Sequence, residues 1–163
     1  MGLNKIASKL EDYVVMDYPF DMPHVIGSCN GLLLLEGRVV NPATRRWTCL
    51  PPCPALPEGT SSFGMDNPYL AFDPVVSPHY EVVLMKDCFD YDSTLLTNSE
   101  WPPSPYTMCA YSSETGAWKE RSFVREGRPA CTLAAVQAAP EPEYRHCAYW
   151  RGALYVHCKS DLR

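Results

Sequence analysis

Residues 24–50 read HVIGSCNGLLLLEGRVVNPATRRWTCL and contain the clearest strand and turn signals of the chain. Two apolar runs flank Asn30-Gly31, and Asn-Gly is the preferred two-residue turn between antiparallel strands because both residues tolerate a positive φ. Gly37 and the polar stretch 41–44 mark two further turns at short spacing. The sequence therefore predicts four short strands in succession, at residues 24–29, 32–36, 38–40 and 45–50.

The same alternation of short apolar runs and turns continues along the chain. It predicts strands at residues 69–72, 80–85, 106–112 and 117–123, and a last hairpin at 146–150 and 153–158 around Arg151-Gly152. The chain contains 16 prolines, and their clusters fall between these runs, where proline stops helices and central strands. After residue 24, only residues 133–139, which are rich in alanine, favour one or two turns of helix instead.

An internal repeat supports a repeated β-unit. Thr44-Arg45-Arg46-Trp47 is matched by Thr115-Gly116-Ala117-Trp118, a Thr-x-x-Trp at the turn into a final strand. Four short strands in roughly 40–50 residues are typical of a propeller blade. The prediction is an all-β fold: a partial β-propeller of about two and a half blades of four-stranded antiparallel sheet, at about 24–50, 69–123 and 146–163.

Composition narrows the class of protein. With 14 Lys and Arg against 19 Asp and Glu, the 163 residues carry a net charge of −5, which disfavours nucleic-acid and anionic-membrane partners. The longest wholly apolar run, 32–35, is far shorter than a membrane span. Eight cysteines are too few for a disulfide scaffold. We expect them to be reduced, in a cytoplasmic or nuclear protein without a cofactor.

Several motifs match a known family. They include Gly27-Ser28-Cys29-Asn30-Gly31, Asn41-Pro42-Ala43-Thr44, Leu70-Ala71-Phe72-Asp73-Pro74 and Tyr149-Trp150-Arg151-Gly152. In this order, over roughly residues 24–158, the chain resembles the F-box-associated domain of plant F-box proteins. The resemblance implies a kelch-like propeller, part of a substrate receptor that binds proteins for an SCF-type cullin-RING ubiquitin ligase.

The resemblance covers a fragment of such a receptor. Residues 1–23 show no F-box; Leu3, Ile6, Leu10 and Val14 are spaced for a short helix, although residues 13–15 equally suit a strand. Without an F-box, we expect no binding to a Skp1-type adaptor, and the protein substrate is unknown. A truncated gene product without selected function is an alternative. On this reading Tyr149, Leu154 and Val156 of the last hairpin are left without a partner.

Three short motifs could carry out chemistry, but each lacks the further residues or elements that its chemistry needs. Asp90-Tyr91-Asp92-Ser93-Thr94 fits the Asp-x-Asp-x-Thr loop of haloacid-dehalogenase-type phosphatases, so a small phosphatase using Asp90 and Asp92 is the enzymatic alternative. The spacing of Cys49 and Cys53 suits half of a zinc site, but the sequence offers no second close pair. Cys29 lacks the following helix that a cysteine nucleophile needs. No catalytic, metal or cofactor residue is therefore assigned, and we predict a binding protein and not an enzyme.

Two further expectations concern aromatic residues. Trp47, Trp118 and Trp150 are placed at equivalent blade positions, where packing is favoured over an aromatic cage. The loops at 51–68 and 86–105 are the longest and carry Phe63, Phe89, Tyr91 and Trp101. Loops vary freely while strands persist, so these two are the first places to look for the binding surface.

Overall fold

The computed structural model describes residues 24–53, 66–86, 98–138 and 147–156. The helix expected within residues 1–23 and the motif containing Asp90 and Asp92 lie outside these ranges. The described chain is built almost entirely of antiparallel strands, so the all-β class is confirmed. No helix in the described ranges has the length and apolar character needed to cross a bilayer.

The first sheet is a four-stranded meander near the start of the described chain. Its strands, in chain order and in spatial order, are β1 (Val25–Cys29), β2 (Leu32–Leu35), β3 (Arg38–Asn41) and β4 (Arg46–Cys49). The β1–β2 turn is the predicted one, with φ of 45° at Asn30 and 90° at Gly31. Leu32 and Leu34 alternate with Leu33 and Leu35, so β2 presents apolar side chains to both faces of the sheet.

The second sheet repeats this meander with an insertion. Its spatial order is β5 (Asp66–Ala71), β6 (Glu81–Lys86), β8 (Tyr106–Ser112) and β9 (Ala117–Phe123). The insertion between β6 and β8 includes β7 (Glu100–Trp101), which pairs with β10 (Cys131–Thr132). Helix α1 (Leu133–Ala138) follows β10 directly. The sequence predicted the helix but not the β7–β10 pair, whose two residues on each side are too few to show a period.

A final hairpin ends the described chain. It consists of β11 (Cys147–Trp150) and β12 (Ala153–Val156), joined by Arg151-Gly152 with φ of 50° and 79°. Its first strand contacts β5, as β1 does. The first strands of the two meanders and of the hairpin thus lie side by side, and each sheet is open within the described ranges.

The main core lies between the first and second sheets. It is formed by Cys29, Leu32, Leu34, Val39, Leu50, Leu70, Val82 and Tyr111. Leu34 and Val82 have no exposed surface, and fully burying a side chain of this size contributes about 1.5–3 kcal/mol. This apolar contact therefore holds the two sheets together.

Hydrogen bonds join the two sheets at their margins. Asn30 donates from its side-chain nitrogen to the carbonyl of Phe72 at 2.6 Å, and the Trp118 indole donates to the carbonyl of Pro51 at 2.7 Å. Both bonds connect residues more than forty positions apart. These two hydrogen bonds hold the second sheet against the first in the arrangement that the apolar core favours.

The three tryptophans do not share one environment, so the prediction of equivalent packing positions is wrong in part. Trp118 packs against the main core. Trp47 lies on the face of the first sheet turned away from the second, and 45% of it is exposed. Trp150 is 58% exposed and lies in the first strand of its hairpin, whereas the other two lie in last strands.

Candidate functional site

A groove of about 570 Å³ lies between the second sheet and the final hairpin. This volume is within the range of about 300–1,000 Å³ that ligand sites occupy. Directly paired residues share a face of the second sheet, so Val83, Met85 and Met108 lie on the face opposite to the main core. These side chains form an apolar floor.

The final hairpin forms one wall of the groove. Tyr149, Leu154 and Val156 line it and are half-buried, so the expectation that these three lack any partner is wrong. The register places Ala148, Trp150, Ala153 and Tyr155 on the other face of the hairpin, where all four are exposed. Within the described ranges the hairpin has two strands and the second sheet has four, so the hairpin covers only part of that sheet.

The opposite wall comes from the insertion and from the end of β9. Trp101 and two prolines after it line the groove together with Phe123 and Val124. Phe123 is 46% exposed and Val124 is 77% exposed. Trp101, which the sequence placed in a candidate binding loop, is itself 92% buried against Tyr106, Leu133 and Val136. It therefore supports the wall from behind and offers little surface to a ligand.

Two ion pairs border the groove. Arg121 donates two hydrogen bonds to the Glu81 carboxylate, at 2.6 and 2.8 Å. This bonding raises the pKa of the Arg121 guanidinium, so the guanidinium stays protonated. The two side chains are 43% and 37% exposed, and such solvent-screened pairs contribute little to folding stability.

Arg125 holds the insertion against the end of β9. Its guanidinium donates to the Glu100 carboxylate and to the carbonyl of Pro102, each at 2.6 Å, and its backbone amide donates to the hydroxyl of Ser104 at 3.2 Å. The Arg125 side chain is only 16% exposed. It therefore positions the proline wall of the groove.

The outer face of the final hairpin forms a second surface. The rings of Trp150 and Tyr155 lie 6.5 Å apart, and the Arg151 guanidinium stands 4.5 Å from the centre of the Trp150 ring. Tryptophan, tyrosine and arginine are enriched in binding hot spots. The Thr-x-x-Trp repeat did not indicate this surface, since Trp150 has no such motif before it.

The cysteines of the sequence motifs differ in their surroundings. Cys29 is followed by β2 and not by a helix, and its thiol donates to the carbonyl of Phe72 at 3.3 Å. Burial raises the pKa of Cys29 and also that of Cys147, so both stay protonated at neutral pH. Cys49 is exposed and Cys53 is buried. No group of three or more metal-ligating side chains occurs in the described ranges.

No protein-family model, curated protein or solved structure matches this chain.

Proposed function

We propose that this chain is a protein-interaction module, similar to the substrate-recognition part of an SCF-type ubiquitin-ligase receptor. The groove between the second sheet and the final hairpin is its binding site. The observation that carries the proposal is an apolar groove of about 570 Å³ beside a strand, β12, whose outer edge has no partner strand among the described residues. Open strand edges and apolar grooves are surfaces through which proteins bind other proteins.

The kelch-like propeller belongs to the same proposal. Its support is the stacking of two four-stranded meanders and a hairpin in chain order, with β1 beside β5 and β5 beside β11. The described part of the third blade has two strands, and the described residues leave part of the second sheet uncovered, which is where the groove lies. The site and the architecture are thus explained by the same arrangement.

A charge placed in the groove tests the proposed function. Phe123→Asp puts a carboxylate on the rim, while Val76→Asp puts the same charge at the β5–β6 turn, where Val76 is 77% exposed. In a pull-down, we expect a partner protein to be retained by the unmodified chain and by the Val76→Asp variant, and to be lost with the Phe123→Asp variant. The same partner protein is expected to bind the purified chain directly in calorimetry. If every retained protein binds all three chains equally, the groove is not the interaction site.

A further inference from the structure

The outer edge of β12 offers backbone hydrogen bonds to an occupant of the groove. In a hairpin closed by a two-residue turn, the flanking residues, here Trp150 and Ala153, form a hydrogen-bonded pair, and the pattern then alternates along the strands. Leu154 and Val156 therefore direct their amide and carbonyl groups away from β11. Their side chains line the groove, so one strand presents both a backbone edge and an apolar wall.

The length of the groove limits what it holds. Along β6 it extends from Glu81 to Met85, which is four residue steps or about 13 Å at the spacing of a strand. An extended segment of about five residues covers this distance, and alternate side chains, about three of them, point to the floor. Met85 and Met108 lie in that floor, and methionine adapts to apolar side chains of different shape.

The charges along the groove exclude a charged inward side chain. Among the described residues that line the groove, Glu81 is the only carboxylate, and it is bound to Arg121; Arg125, also in the lining, is bound to Glu100. A Lys or Asp side chain pointing to the floor would lose water without finding a free opposite charge. The groove therefore favours uncharged apolar side chains at the inward positions.

From these three observations we infer that the groove binds an extended apolar segment of a partner protein, which adds to β12 as a third strand. Its inward side chains, at alternate positions, are aliphatic, and its outward side chains are polar. This inference rests on the proposed function and adds to it the conformation and the chemistry of the bound segment.

Peptide binding to the full chain tests the inference. The probe is a fluorescent peptide in which valine and threonine alternate, and the controls are a peptide of the same composition in blocks and one N-methylated on the residues that face β12. We expect the alternating peptide to bind at least about tenfold more tightly than either control, because the controls lose the apolar alternation or the edge hydrogen bonds. Equal anisotropy titrations for the three peptides would overturn the inference.

Variants of the chain test whether the alternating peptide binds in the groove. Met108→Asp places a carboxylate on the floor and is expected to weaken the alternating peptide by about tenfold or more, while Val76→Asp leaves its affinity unchanged. A second variant, Arg121→Gln, places no charge on the apolar floor of the groove. It leaves the Glu81 carboxylate without its counterion, so a peptide probe with lysine at an inward position is expected to bind more tightly. If the lysine probe gains nothing, paired charge does not govern selection.

Other occupants give different results. Displacement of the probe by a synthetic peptide of residues 1–23 would assign the groove to the chain's own N-terminal segment. A dimer that Met108→Asp converts to a monomer would assign it to a second copy. Either result overturns the inference. A partner protein that is lost with Phe123→Asp but is insensitive to the alternating peptide would also overturn the strand mode of binding, while the proposed function would stand.

Discussion

Replacing Arg125 with methionine is expected to lower the free energy of unfolding by about 2 kcal/mol. The ion pair with Glu100, whose side chain is 62% exposed, contributes about 0–1 kcal/mol of this. The larger part comes from the carbonyl of Pro102, which loses its donor at 2.6 Å in a partly buried position, at a cost of about 1–3 kcal/mol. Methionine keeps most of the apolar stem, so packing changes little.

Thermal unfolding followed by circular dichroism measures this loss. In a chain of this size, about 2 kcal/mol corresponds to a decrease in Tm of about 4–8 °C. Arg128→Met is the matched control, since Arg128 is exposed on the same stretch and is expected to shift Tm by less than about 2 °C. Glu100→Gln isolates the ion pair and should account for less than half of the loss. If Arg125→Met lowers Tm no more than Arg128→Met does, or if Glu100→Gln alone lowers Tm as much as Arg125→Met, the Pro102 hydrogen bond does not make the expected contribution to stability.

Four further outcomes are expected. Leu34 has no exposed surface, so Leu34→Ala should lower the free energy of unfolding in urea by about 3–5 kcal/mol. Val75 is 93% exposed, and Val75→Ala should lower it by less than about 0.5 kcal/mol. Similar values for the two variants would contradict the placement of the core. Trp118→Phe should cost about 1 kcal/mol through its indole hydrogen bond, and an unchanged urea midpoint would deny that bond a role. Iodoacetamide should alkylate the exposed Cys49 before the buried Cys29, as measured by peptide mapping. Because burial raises the pKa of Cys29, the folded chain binds the thiol proton more tightly than the unfolded chain does. The free energy of unfolding should therefore decrease as the pH rises above about 8.5, and Cys29→Ala should reduce this decrease.

The β-strands were predictable because their signals are local. Asn30-Gly31 specifies a hairpin through the conformations that these two residues accept, and the observed φ values agree. The strands at 106–112 and 117–123 have the predicted bounds, since a polar turn separates two runs of clear β-propensity. Residues 133–138 form a helix, as their alanine-rich composition favoured.

The environment of individual aromatic residues was not predictable from the same signals. Trp47 and Trp118 share a motif, yet the second is packed against a neighbouring sheet and the first lies on a face turned away from it. A motif fixes where a side chain stands on its strand, but not what covers that strand. The same limit applies to Trp101, which the sequence placed in a loop and the fold places in a small core with α1.

The class of fold and the order of the strands thus followed from local signals, because they depend on residues close together in the chain. Only the tertiary structure decided where the candidate site lies. The groove joins β6 and β8, the insertion around Trp101, and the final hairpin, which are separated by up to about seventy positions. Its apolar floor looks like ordinary strand sequence, and it becomes a candidate site because, in the described part of the chain, a two-stranded hairpin packs over a four-stranded sheet and leaves part of that face uncovered.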